Sequence, residues 1–170
     1  MKKFLEHNSL LFLIAAAIIV VDQITKALVR QNLALGESWA PIPAIGDFLR
    51  FLYWQNRGAA FGTLQNAGPI LTIVRIAIAL FIIVIYQKAE IKDTLMKVAL
   101  SLMLGGAIGN LVDQFTLGFV TDFVAMGRFP IYNVADSAVT IGVGLMLLDM
   151  IIKEKNGSKT DPEAKPGENA

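Results

Sequence analysis

The sequence predicts an all-α membrane protein with four transmembrane helices, and three observations predict it. The 170-residue chain is 55% hydrophobic, above the roughly 45–50% of soluble domains even with glycine counted. Charged residues make up 17% and mean hydropathy is +0.58, whereas soluble domains carry about 25% charge. The apolar residues gather in four runs, Leu10–Val29, Pro69–Tyr86, Leu95–Val112 and Asp136–Ile152. Each is near the ~20 residues that cross a bilayer.

The first run follows Lys2 and Lys3, as a signal peptide would. It is longer than the roughly 7–15-residue apolar core of such a peptide, and it continues into Asp22-Gln23-Ile24-Thr25-Lys26. It therefore reads as a retained helix. The longest non-spanning stretch, 31–68, comes next. Pro41, Pro43 and Gly46 break regular structure there, and the aromatic segment Phe48–Gln55 follows them. This segment suits a small sheet or hairpin on the outer surface, and equally a loop lying on the headgroups. Trp39, Tyr53 and Trp54 suit an interfacial aromatic belt. In the third run, Gly105-Gly106-Ala107-Ile108-Gly109 sets glycines four residues apart, a spacing that lets helices approach closely. The tail 156–170 is rich in Lys, Glu, Gly and Pro and reads as disordered, leaving 1–155 as one membrane domain.

Lysines set the expected orientation. Lys2 and Lys3 precede the first run, Lys88, Lys92 and Lys97 surround the turn between the second and third, and Lys153, Lys155 and Lys159 follow the fourth. With an even number of spans all three groups share one side, the cytoplasm. The other side holds Arg30, Arg50, Arg57 and Arg128.

Composition narrows the chemistry. There is no cysteine, so disulfides, thiolate metal sites and cysteine nucleophiles are excluded. The single histidine, His7, lies in the polar N-terminal lead, which leaves no Ser-His-Asp triad and no HExxH zinc site. A net charge of +1 gives no argument for nucleic acid. No cofactor or metal is expected.

An ionised group inside a span is costly unless paired or wet, so each is a functional candidate. Here they cluster. Asp22 and Lys26 are four residues apart near the outer end of the first span. Asn110 and Asp113 lie at the outer end of the third, and Asp136 opens the fourth with Asn133 just before it. Asp122 sits on the outer loop between the last two spans. All fall at one depth, the outer leaflet. Each also has a plain reading. Asp22–Lys26 can be a helix ion pair, Asn110 and Asp113 a C-terminal cap, and Asp136 an acid favoured by a helix N-terminus. Asn56-Arg57-Gly58 before the second span suits either a substrate groove or a tight turn. Arg75 and Asp149 are assigned to no site.

Gly127 and Pro130 break the chain between Asp122 and Asp136, which lets it fold back and bring the two acids together. Two adjacent carboxylates cannot both ionise cheaply, so the pair shares a proton. Such a dyad hydrolyses a peptide bond without a cofactor. One acid takes a proton from the attacking water while the other donates to the developing oxyanion. The helix N-terminus favours Asp136 as the ionised partner.

Five ordered blocks resemble the lipoprotein signal peptidase (signal peptidase II) family: VDQITK at Val21–Lys26, NRGAAF at Asn56–Phe61, GGAIGNLVD at Gly105–Asp113, VTDF at Val120–Phe123 and NVADS at Asn133–Ser137. The resemblance covers about Phe4–Lys153. It implies an aspartic peptidase of the bacterial inner membrane, with both termini cytoplasmic and the site toward the outer leaflet. The implied substrates are prolipoproteins with a diacylglyceryl group on the lipobox cysteine, cut just before that cysteine. The family's catalytic pair falls on Asp122 and Asp136. Its supporting positions fall on Asp22, Lys26, Asn56, Gly58, Asn110, Asp113, Asn133 and Ala135. The resemblance also implies a small extracytoplasmic β-sheet, a short periplasmic helix, contact with membrane lipids, blockade by globomycin-type inhibitors and action as a monomer. One position departs: Gln114 stands where the family usually carries arginine. Arg75 and Arg128 are the candidates to replace that charge.

Two rivals remain at this level. A small transporter would distribute its charges through the membrane depth, and a scaffold would need no paired acids.

Overall fold

The computed structural model describes residues 2–58, 68–89, 91 and 93–157. Its elements run α1 (Lys2–Asn32), β1 (Ser38–Trp39), a 3-10 turn (Pro43–Ile45), β2 (Leu49–Asn56), α2 (Gly68–Lys88), α3 (Thr94–Leu117), β3 (Val120–Met126) and α4 (Val134–Gly157). Four of them are long and apolar enough to cross a membrane, over Ser9–Asn32, Gly68–Lys88, Thr94–Leu117 and Val134–Lys155. Each extends past the predicted run. Hydropathy ends a run where polar residues set in, whereas backbone hydrogen bonding carries the helix on to its cap. In α3 that cap is Gly118, left-handed at φ 77°, which returns its N–H to the Gln114 carbonyl.

α3 is the middle of the bundle. It packs against α1, α2 and α4, and 56% of its spanning window is buried against 17–22% in the others. Glycine makes this possible. A Cβ on Gly105 would meet the Ala15 carbonyl of α1 at 2.9 Å, and one on Gly106 would overlap the Ala135 carbonyl of α4. The predicted close approach is therefore present on both sides of one helix. The outward faces of α1 and α2 keep large apolar side chains exposed, such as Leu13 (71%) and Ile73 (66%), as lipid-facing helices do.

The two connections α1–α2 and α3–α4 meet at one end of the bundle and form a three-stranded antiparallel sheet, ordered β1-β2-β3. Phe48–Gln55 is thus largely strand, as one of its two readings held. Trp39 stacks on Phe51 across β1 and β2 at 5.9 Å. Trp39 and Trp54 are exposed and fit an aromatic belt, but Tyr53 is buried, and its hydroxyl accepts from Gln55 Nε2. Asp122 lies on a strand, not on a loop. Its pairing partner comes from a distant connection, opposite Trp54. A register shift between Phe51 and Trp54 sets two residues of β2 against one of β3 just beside this acid. The short non-spanning helix among the described residues is the 3-10 turn. Ala59–Phe61 of the NRGAAF block, Lys92 and the tail beyond 157 lie outside the described residues.

Candidate active site

Beyond β3 the chain turns at Gly127 (φ 54°) and doubles back. Tyr132 pairs with Val124, its N–H donating to the Val124 carbonyl at 3.1 Å and the Val124 N–H returning at 2.8 Å. This return lays Asn133 beside Asp122, and α4 starts at the next residue.

Asn133 joins the two acids. Its Nδ2 donates to Asp122 Oδ1 at 2.7 Å. Its backbone N–H lies 3.3 Å from Asp136 Oδ2, and its Oδ1 accepts the Asp136 N–H at 2.9 Å. That reciprocal pair is a capping box with Asn at the cap and Asp three residues on. The helix-start reading of Asp136 is thus correct, and the cap uses only part of the carboxylate. Asn110 Nδ2 donates to the other oxygen at 2.8 Å. On the far side, Asn56 Nδ2 donates to Asp122 Oδ2 at 2.9 Å while its Oδ1 accepts the Gly58 N–H. Gly58 is buried at φ 119°, a conformation that favours glycine.

The acids differ in environment. Asp122 is 2% exposed, whereas Asp136 is only partly buried. Burial first, and the Asp136 carboxylate second, push the Asp122 carboxyl up to about 7. Amide hydrogen bonds from Asn56 and Asn133 oppose that rise.

Beneath the acids lies a buried ionic layer. Lys26 Nζ is 2.8 Å from Asp22 Oδ2, 3.4 Å from Asp113 Oδ2 and 2.9 Å from Asn110 Oδ1. Asp22 and Lys26 therefore form more than a helix ion pair. Asp22 Oδ1 also accepts the Ala135 N–H at 3.0 Å, so α1 caps the first turn of α4. Ala135 is fully buried against Gly106 and Gly109, where a larger side chain has no room. Asp113 is no C-terminal cap, because α3 continues to Leu117. It accepts the Thr121 N–H at 2.8 Å and so ties α3 to β3.

Ten of the predicted positions, Asp22, Lys26, Asn56, Gly58, Asn110, Asp113, Asp122, Asn133, Ala135 and Asp136, thus belong to one connected network. Gln114 does not join it: its side chain is partly buried and makes no hydrogen bond among the described residues. Neither Arg75 nor Arg128 forms an ion pair among them. Three contributors escaped the sequence reading. Gln23 Nε2 donates to the Gly109 carbonyl at 3.0 Å and to Asp113 Oδ1 at 3.2 Å. Arg30 Nη1 donates to Thr121 Oγ1 at 2.9 Å and lies 3.7 Å from Asp113 Oδ1. Arg30 had a signal, since residues 22, 26 and 30 repeat every four positions along one helix face. Thr121 had none beyond its place before an acid. Among the described residues, no group of three or more His, Cys, Asp or Glu is arranged to hold a metal ion.

Chemically, this is a carboxyl that keeps its proton near neutrality beside a more accessible carboxylate at a helix N-terminus, both oriented by amides. It can transfer protons to and from a water and a carbonyl.

A family model described as signal peptidase (SPase) II matches residues 14–152. The lipoprotein signal peptidase of Shouchella clausii is 43% identical over 88% of this chain and 97% of its own length. That of Brevibacillus brevis is 42% identical over 85% and 96%. A solved bacterial membrane enzyme, determined by the in meso method, superposes with a TM-score of 0.78 at 33% identity, covering 91% of this chain and 94% of that one.

Proposed function

The chain belongs to the signal peptidase II family of aspartic peptidases, and from that premise we propose that it removes signal peptides from diacylglyceryl-modified prolipoproteins, cutting just before the lipidated cysteine. Asp122 and Asp136 are the catalytic pair. The observation that carries this reading is Asn133, whose side-chain amide binds Asp122 while its backbone amide binds Asp136.

Asp122, buried and raised to about 7, holds the resting proton. Asp136, held by two amide donors at the start of α4, is the ionised base. Water placed between them loses a proton to Asp136 as it attacks the scissile carbonyl. Asp122 donates to the oxygen that becomes negative. The proton on Asp136 then passes to the leaving amine. Asn56, Asn110 and Asn133 hold the acids in register through this exchange, and the Asp22–Lys26–Asp113 layer supports them from below.

The protein lies in the bacterial inner membrane as a monomer, with both termini cytoplasmic and the acids toward the outer leaflet. Lys88, Lys97, Lys153 and Lys155 sit at the helix ends opposite the sheet, which supports that orientation. Substrate diacyl chains reach the acids from the surrounding lipid, and globomycin-type inhibitors occupy the dyad.

Cleavage of a diacylated prolipoprotein by purified protein tests the reading. Asp122→Asn and Asp136→Asn each lose about 10²-fold or more in turnover, the share that general acid–base catalysis supplies. Wild-type turnover in either variant sinks the dyad. Equal cleavage of the unlipidated substrate sinks the lipid requirement and leaves a peptidase.

A further inference from the structure

Asp22, Asp113 and Lys26 are essentially fully buried, and Lys26 is in contact with both acids. Two carboxyl groups and one ammonium give this buried layer one more acid than it has cations. A buried charge without a partner is strongly unfavourable. The compensating cation is Arg30, one turn beyond Lys26 on α1, with Nη1 3.7 Å from Asp113 Oδ1. The neighbouring α3 position offers no charge, since it holds Gln114.

Arg30 also grips the residue before Asp122. Thr121 is fully buried and held at three atoms from three elements. Arg30 of α1 donates to its Oγ1 at 2.9 Å, Asp113 of α3 accepts its N–H at 2.8 Å, and Asn133 at the start of α4 donates to its carbonyl at 3.2 Å. A residue fixed at side chain, N–H and carbonyl cannot turn, so the direction in which Asp122 leaves the strand is set.

We propose that Arg30 is a positioning residue for the reaction: its guanidinium balances the Asp22–Lys26–Asp113 layer and clamps Thr121, which holds the Asp122 carboxyl against Asp136. The proposal rests on the dyad assigned above.

The test compares full-length protein carrying Arg30→Lys, Arg30→Gln, and Arg30→Gln with Gln114→Arg, using a diacylated prolipoprotein. A residue acting through Asp122 changes kcat and spares KM. Arg30→Gln lowers kcat about tenfold or more, because misplacing a catalytic group by about 1 Å is enough to cost ~10²-fold. Arg30→Lys recovers part of that loss. Adding Gln114→Arg supplies a cation on the residue after Asp113 and recovers the part of the loss that comes from charge, while the Thr121 clamp stays absent. If Arg30→Gln fails to fold, recovery of both folding and turnover on adding Gln114→Arg supports the same conclusion. Turnover of Arg30→Gln within about twofold of wild type, a loss confined to KM, or no recovery in either Arg30→Lys or the Gln114→Arg double variant overturns it. The two readings fail separately. Full activity in Asp122→Asn sinks the dyad, whereas an inactive Asp122→Asn beside an unaffected Arg30→Gln sinks only the role of Arg30.

Discussion

Asn133 serves both acids with one side chain and one backbone amide, and this concentrates the chemistry in a few atoms. With Nδ2 committed to Asp122 and Oδ1 to the Asp136 N–H, the amide cannot flip without losing both bonds. The consequence for pH follows from Asp122. Its folded value lies above the ordinary carboxylate value, at about 7. The proposed dyad would thus keep its shared proton below that pH and lose it above. Turnover falls on the alkaline side with a midpoint near pH 7, as a pH–rate profile would show. For stability, the folded state binds more protons than the unfolded chain between the ordinary carboxylate value and about 7. Stability therefore declines as pH rises through that window. Asp122→Asn removes the decline and raises the thermal midpoint at pH 8 relative to wild type. An unchanged pH dependence of melting in that variant would count against a strained buried carboxyl.

At the scale of elements, α3 and the first turn of α4 are a single construction. The Gly105–Gly109 face lets α1 and α4 approach until Asp22 reaches the Ala135 N–H. Added bulk on this face acts at a distance on the acids. Gly106→Ala forces a Cβ onto the Ala135 carbonyl, a backbone atom that can yield only if α4 moves. It costs about 1–3 kcal/mol, as overpacking does, and lowers turnover because Asp136 rides on α4. Gly144→Ala, where an added Cβ meets nothing within 4 Å, is the matched control. It is neutral or stabilising by up to about 1 kcal/mol through helix propensity. Unfolding in detergent and prolipoprotein cleavage, measured on both variants, separate them. Equal behaviour would mean that α3 and α4 are not as tightly joined as their contacts require.

Across the whole molecule, four spanning helices carry a small sheet at one end, and the lysine-rich helix ends lie at the other. The far end has its own tie, Lys153 to Asp93 and Asp149 at 2.6 Å each. It joins α4 to the start of α3. Lys153 is half exposed there, so water screens much of that pair. The natural chain has no cysteine, so introduced cysteines report cleanly on sidedness. In intact spheroplasts an impermeant maleimide labels Asp47→Cys and Arg128→Cys, and it labels Lys88→Cys only after lysis. The reverse pattern would invert the topology and move the acids to the cytoplasmic face.

Much of this architecture was legible in the residues alone. Span length and the cost of charge in lipid are local constraints, so hydropathy located four helices. The same constraints isolated Asp22, Lys26, Asn110, Asp113 and Asp136 as residues needing a reason. The glycine spacing announced close packing because absent side chains are visible in a sequence. Other features were not legible, since each depends on segments that meet only after folding. Asp122 looked like a loop residue because its pairing strand lies in another connection. Tyr53 looked interfacial because nothing local reveals that it is buried on folding. Gln23, Arg30 and Thr121 carry no motif of their own and join the site through hydrogen bonds that span α1, α3 and β3. A single chain can show which groups lipid will not tolerate. Which partner satisfies each of them depends on how closely α1 and α4 pack against the glycine face of α3.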